Sequence, residues 1–114
     1  MRTAIITTGG LGTRLMTCTK SNPKAMLPLY YRSPFDVNEP LLRPLIETIF
    51  ENLYDYGFRR FCFIVGKKTR LSIINHLTPD MKFIELLKSR NSDVDNRFIK
   101  VLERIYKKFN NSEI

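Results

Sequence analysis

At 114 residues the chain has room for one small domain, long enough to bury a core but not two. Its 43% hydrophobic and 11% aromatic content excludes a disordered polymer, and no apolar run approaches the roughly 20 residues of a membrane span. The net charge of +8 is uneven, with six Lys/Arg against five Asp/Glu in residues 1–57 and thirteen against six in residues 58–114. A basic half invites a nucleic-acid reading. Its basic positions, however, interleave with apolar ones at helical spacing, the pattern of a solvated helix face. Cys18 and Cys62 have neither metal-ligand spacing nor a redox motif, and Met1–Ile6 is too short and polar-flanked for a secretory signal. The expectation is a cytoplasmic protein with free thiols.

In chain order, Arg2 to Thr8 reads as a short parallel strand whose apolar centre, Ala4-Ile5-Ile6, shows no clean alternation. Such a strand is expected to be covered on both faces. Gly9, Gly10 and Gly12 follow within four positions, where the backbone can adopt φ > 0 and no side chain obstructs a ligand. Successive N–H groups in such a turn form a concave nest for an anion. Arg14 supplies a forked, permanent cation, and Lys24, set by Pro23, a compact point charge. A strand feeding this turn puts it at the carboxyl edge of a sheet, where open α/β folds bind ligands. The pattern points to a phosphate-bearing ligand, foremost a nucleotide; the bland alternative is a tight connection. Gly12-Thr13-Arg14 lacks the Gly-Lys-Ser/Thr ending of a P-loop, and Leu15 stands where the dinucleotide fingerprint needs its third glycine.

Tyr30 to Pro40, with Pro34, Asp36, Asn38 and Pro40, reads as an irregular surface excursion. Pro44 then opens the clearest helix, with Leu45, Ile46, Ile49, Phe50, Leu53 and Tyr54 as its apolar stripe. Glu47 and Glu51 sit towards its start, favourable for the helix dipole, and Gly57 ends it. Phe61 to Val65 is a second strand closed by Gly66, so strand, loop, helix and strand make one βαβ unit with an expected right-handed crossover. Lys67-Lys68-Thr69-Arg70 lies just beyond it, on the ligand edge or as a solvated loop. Three helices follow: Leu71–Leu77 with a lone His76 of structural type, Met81–Ser89, and Val94–Phe109 with a stripe of Val94, Phe98, Val101, Leu102, Ile105 and Phe109.

Thr8-Gly9-Gly10-Leu11-Gly12-Thr13-Arg14-Leu15, with Thr19-Lys20-Ser21 and Pro23-Lys24-Ala25-Met26-Leu27-Pro28, resembles the signature of the sugar-phosphate nucleotidylyltransferases, closest to the UTP–glucose-1-phosphate uridylyltransferase branch. The likeness extends more loosely through Leu41-Leu42-Arg43-Pro44 to Phe63-Ile64-Val65-Gly66. Thr17 stands where the family commonly has proline, and Ala25 where the uridylyl branch commonly has glutamate. The resemblance implies an α/β, Rossmann-like nucleotide-diphospho-sugar transferase fold, of which residues 1–114 would be only the N-terminal βαβ portion, with an incomplete parallel sheet.

The implied reaction is attack of a sugar 1-phosphate, foremost glucose 1-phosphate, on the α-phosphorus of UTP or dTTP, with pyrophosphate leaving. Thr8, Gly9, Gly10, Gly12 and Thr13 would hold the nucleotide, Arg14 the departing phosphates, and Lys24 the charge around the α-phosphate. Mg²⁺ is implied, but the family's metal-binding aspartates and sugar pocket lie in parts absent from these residues; Asp36 and Asp55 are no substitutes. The chain alone is therefore expected to be inactive, and to need a second polypeptide or self-association to complete its sheet. The alternatives are a non-catalytic nucleotide-binding or regulatory module and, last, a nucleic-acid binder using Arg59, Arg60, Lys67, Lys68 and Arg70 with Phe61 and Phe63.

Overall fold

The computed structural model describes residues 2–8, 23–33, 35 and 40–114. Its centre is a parallel pair, β1 (Thr3–Thr7) and β4 (Arg60–Ile64), in a register that sets Ile5 beside Cys62. Between them in sequence come a 3-10 turn (Lys24–Met26), a ribbon of β2 (Pro28–Arg32) and β3 (Pro40–Pro44), and helix α1 (Leu45–Asp55). After β4 follow α2 (Arg70–Leu77), α3 (Met81–Arg90) and α4 (Asp93–Asn110). The fold is thus α/β, with a two-stranded parallel sheet and flanking helices. None of the described helices is long and apolar enough to cross a membrane.

The core lies between one face of the parallel pair and the helices. Ala4 and Phe61 point from the strands into a cluster with Ile46 and Phe50 of α1, Ile73 and Leu77 of α2, and Ile105 and Phe109 of α4. Phe50 is fully buried at its centre, with ring centroids 4.6 Å from Phe61 and 5.0 Å from Phe109. A satellite of Ile84, Leu87 and Ile99 joins α3 to α4. The helix ends follow local chemistry. Asp80 accepts from the Phe83 N–H to start α3, and Ser92 accepts from the Asp95 N–H to start α4. Past α1, Gly57 at φ +102 donates to the Tyr54 carbonyl while Phe58 donates to Leu53, a paired closure that a left-handed residue makes possible.

Three expectations are corrected. The stretch from Tyr30 to Pro40 is not merely an excursion: Pro28–Arg32 pairs antiparallel with Pro40–Pro44. Pro28, Pro40 and Pro44 sit at ribbon corners, where a missing N–H breaks no ladder, and Tyr30 and Tyr31 suit a strand. Coverage of both sheet faces does not hold either. Among the described residues the packing is on the Ala4/Phe61 face, and Ile5 is 68% and Ile64 49% exposed on the other. On α4 the buried line is Asp95, Ile99, Ile105 and Phe109, while Val94 and Phe98 face outward. Packing of Ile99 on α3 turns the first half of that helix away from the expected stripe. Glu47 does stand in the first turn of α1, as expected for the dipole, and with Glu51 it also lies in a buried ion network.

At the outer edge of β4 the chain's last residues return. Glu113 donates to the Arg59 carbonyl and accepts from the Phe61 N–H, both at 2.7 Å, forming one rung of parallel pairing.

Candidate functional site

Two of the residues singled out from the sequence are described, and they face one cleft. β1 ends at Thr8, whose N–H and hydroxyl both donate to the Ile64 carbonyl, at 2.8 and 2.7 Å. This double bond to the end of β4 buries Thr8 and fixes where the chain leaves the sheet. It makes Thr8 an anchor, since its hydroxyl proton is already committed to Ile64.

Lys24 opens the 3-10 turn. Pro23 presets the entry, Met26 donates back to the Pro23 carbonyl at 2.9 Å, and the Leu45 N–H at the head of α1 donates to Leu27 at 3.0 Å. The turn is thereby stapled to the start of α1, and Lys24 is left exposed. Between turn, helix and strand end lies a cleft of about 270 Å³ lined by Ile6, Thr7, Thr8, Lys24, Ala25, Leu45, Ile46 and Ile49. Among the described residues Lys24 is the one charged group lining it, and no carboxylate there opposes an anion. Apolar walls with a single cation and the carboxyl edge of a parallel sheet suit a ligand with an anionic group and an apolar body.

Arg14, Gly9, Gly10, Gly12, Thr13 and Asp36 lie outside the described residues. Lys67, Lys68 and Arg70 are exposed beyond β4, in a turn closed by the Gly66 N–H donating to the Thr69 hydroxyl at 2.9 Å. They share the sheet edge with Thr8 but do not line the cleft. Asp55 pairs with Lys108 at 3.1 Å. Among the described residues no cluster of His, Cys, Asp and Glu could hold a metal ion, and the cleft does not fit one. The aromatic side of the nucleic-acid reading is weak in geometry. Phe61 is buried, Phe63 packs against the core, and Arg59 stacks 3.6 Å from the Tyr54 ring centroid.

The feature that sequence reasoning missed is a buried ion network on the far side of α1. Arg43 of β3 reaches Glu47 at 2.8 Å and Glu51 at 3.4 Å. His76 meets the other Glu47 oxygen at 2.9 Å, and Arg104 and Lys108 of α4 meet Glu51 at 2.8 and 3.3 Å. The i, i+4, i+8 spacing of Arg43, Glu47 and Glu51 was a signal that one face carried charge. Burial pushes the Glu47 carboxyl up, but the His76 hydrogen bond and the Arg43 charge outweigh it and hold it below its usual 4.5. Burial likewise opposes ionisation of Glu51, which Arg43, Arg104 and Lys108 together keep below 4.5. A carboxylate lowered by folding contributes stability in full above its unfolded value and loses it as pH falls through the folded one. The urea midpoint is therefore expected to fall as pH drops below about 4.5. A midpoint that stays flat through acid would contradict the network's role.

No family model matches the chain. It is similar to UTP–glucose-1-phosphate uridylyltransferase of Mycoplasma pneumoniae, with 33% identity over 100 residues, 88% of this chain and 30% of the relative. It is similar also to a putative UTP–glucose-1-phosphate uridylyltransferase of Methanocaldococcus jannaschii, with 36% identity over 67% of this chain and 23% of the relative. The Mycoplasma genitalium enzyme of the same name is 32% identical over 80% of the chain and 27% of that relative. Over these matched residues the chain is similar to part of three proteins named UTP–glucose-1-phosphate uridylyltransferase, in line with the resemblance carried by its motif. It spans less than a third of the length of these curated relatives. Ala25, where the uridylyl branch of the family commonly carries glutamate, is in the cleft wall beside Lys24, so the departure falls within the candidate site.

Proposed function

We propose that the cleft between Thr8 and Lys24 binds the phosphates of a nucleoside triphosphate, UTP before dTTP, as the nucleotide side of a uridylyltransferase. The observation supporting this is the position of Lys24, alone in charge on an apolar cleft at the carboxyl edge of the sheet. In this reading Lys24 neutralises charge around the α-phosphate, Gly9, Gly10, Gly12 and Thr13 give the loop backbone its approach, and Arg14 holds the outgoing phosphates. The full reaction joins a sugar 1-phosphate oxygen, foremost that of glucose 1-phosphate, to the α-phosphorus and releases pyrophosphate. We assign no step to Mg²⁺, because no carboxylate stands in the described cleft. Completion by a second polypeptide or a second copy belongs to the proposal, as does a cytoplasmic setting, which the exposed free thiol of Cys62 suits.

Titration of UTP against the chain tests it. Lys24→Ala and Arg14→Ala are each expected to weaken binding by about 10- to 100-fold, the loss of one charge-assisted contact worth about 1.5–3 kcal/mol. Unchanged affinity in both variants would sink the reading, and a parallel dTTP titration decides between the bases. With UTP and glucose 1-phosphate the chain alone is expected to release no pyrophosphate above a no-protein control.

A further inference from the structure

A second cavity, of about 390 Å³, lies beside the buried ion network and shares no lining residue with the Lys24 cleft. Residues of β3, α1, α2, α3 and α4 wall it, so it is a space between elements and not a bare face. Its size is within the range of about 300–1,000 Å³ typical of small-molecule pockets. Leu42, Phe83, Phe98 and Leu102 make the walls apolar, with the Phe83 and Phe98 rings edge to face at 5.7 Å.

Two nitrogens among its lining residues are left for a ligand. Glu47 has both oxygens engaged, one by Arg43 and the other by His76 Nε2 at 2.9 Å. A carboxylate only accepts, so Nε2 carries the proton, and the neutral imidazole shows a bare acceptor at Nδ1. Arg43 is the converse. Its Nε and Nη1 are bonded to Glu47 and Glu51, but Nη2 is buried with no hydrogen-bond partner. A buried donor costs stability until an acceptor meets it. Charge beside the cavity is already balanced, with Arg43, Arg104 and Lys108 against Glu47, Glu51 and Asp55. Asp80 adds a further carboxylate to the wall. Burial and the Asp80 and Glu47 charges push the Tyr106 phenol up, against a backbone hydrogen bond from Asp80. An entering anion would meet no spare cation among these groups.

We propose that this cavity binds an uncharged aromatic amide, with its ring among Phe83, Phe98 and Leu102, its N–H on His76 Nδ1 and its carbonyl on Arg43 Nη2. A primary amide carries donor and acceptor in one planar group, which matches the two nitrogens. Nη2 has no open surface, so the carbonyl reaches it by turning a rim side chain aside. Leu42 and Phe98, 52% and 42% exposed, have the room to turn. For a ligand of about ten heavy atoms the expected affinity is millimolar. None of this depends on the nucleotide reading.

Phenylacetamide is the probe, titrated into the chain and followed by NMR. His76 is the one histidine, so its ring signals are unambiguous. The expected result is a saturable shift of those signals, with nuclear Overhauser contacts from the probe's phenyl protons to Phe83 or Phe98. Phenylacetate, nearly the same shape with a negative charge, should bind at least about tenfold more weakly. His76→Phe should weaken the amide at least about fivefold. Val101→Trp, which fills the cavity and keeps every polar group, should abolish binding. If either variant fails to fold, the comparison of amide with acid on the unaltered chain still decides. No saturable shift at His76, unchanged binding in His76→Phe, or phenylacetate as tight as the amide would overturn the assignment.

Discussion

Arg43→Met is expected to destabilise the fold by about 3–5 kcal/mol, the range found when one partner is removed from a buried ion pair. The side chains of Arg43 and Glu47 are each less than a tenth exposed, and their contact is 2.8 Å. Without the guanidinium, Glu47 keeps only His76, whereas Glu51 still has Arg104 and Lys108. The loss therefore concentrates at Glu47, the carboxylate nearest the head of α1. Urea denaturation of the two proteins at neutral pH measures it. Arg43→Met/Glu47→Met should recover part of the loss, because a charge pair replaced by apolar volume leaves no carboxylate stranded. A single-variant cost below about 1 kcal/mol, the scale of exposed ion pairs, would mean that solvent reaches the network.

Phe50→Ala should be as damaging, at about 3–5 kcal/mol. Phe50 has no exposed surface and packs against three rings of the main core: Phe61 of β4, Phe109 of α4, and Tyr54 one turn along its own helix. Truncation removes the aromatic contacts and opens a cavity that rigid neighbours on three sides cannot close. Domains of this size have about 5–15 kcal/mol to lose. With one sheet face bare, the chain has little reserve, so loss of near-ultraviolet circular dichroism in the variant at 25 °C would be in keeping. A midpoint shift equivalent to less than about 1 kcal/mol would show that the cluster repacks.

The elements read directly from sequence are those with a single strong local cause. β1 and β4 are continuous apolar runs, and α1 has a full apolar stripe between Pro44 and Gly57. What escaped depends on partners distant in the chain. Pro28, Pro40 and Pro44 read as interruptions until their places at the corners of the ribbon are known. Glu51 reads only as a dipole charge until Arg104, 53 positions later, is brought against it. The candidate site divides the same way. Thr8 is singled out by the resemblance and Lys24 by the strand–turn pattern; both line one cleft, while the double donation of Thr8 to Ile64 needs β4 to be in place. Arg14 and the three glycines fall outside the described residues, and their part rests on the resemblance alone.

The stapling of Thr8 and of the Lys24 turn bears on how tightly a ligand could be held. The strand end at Thr8 is locked to Ile64, and Pro23 is buried in a turn bonded to the head of α1. The entropy of bringing those two ends together is thus spent in folding, not at the moment of binding. A ligand reaching between them meets fixed posts, and more of its contact energy survives as affinity than if it had to gather the chain itself.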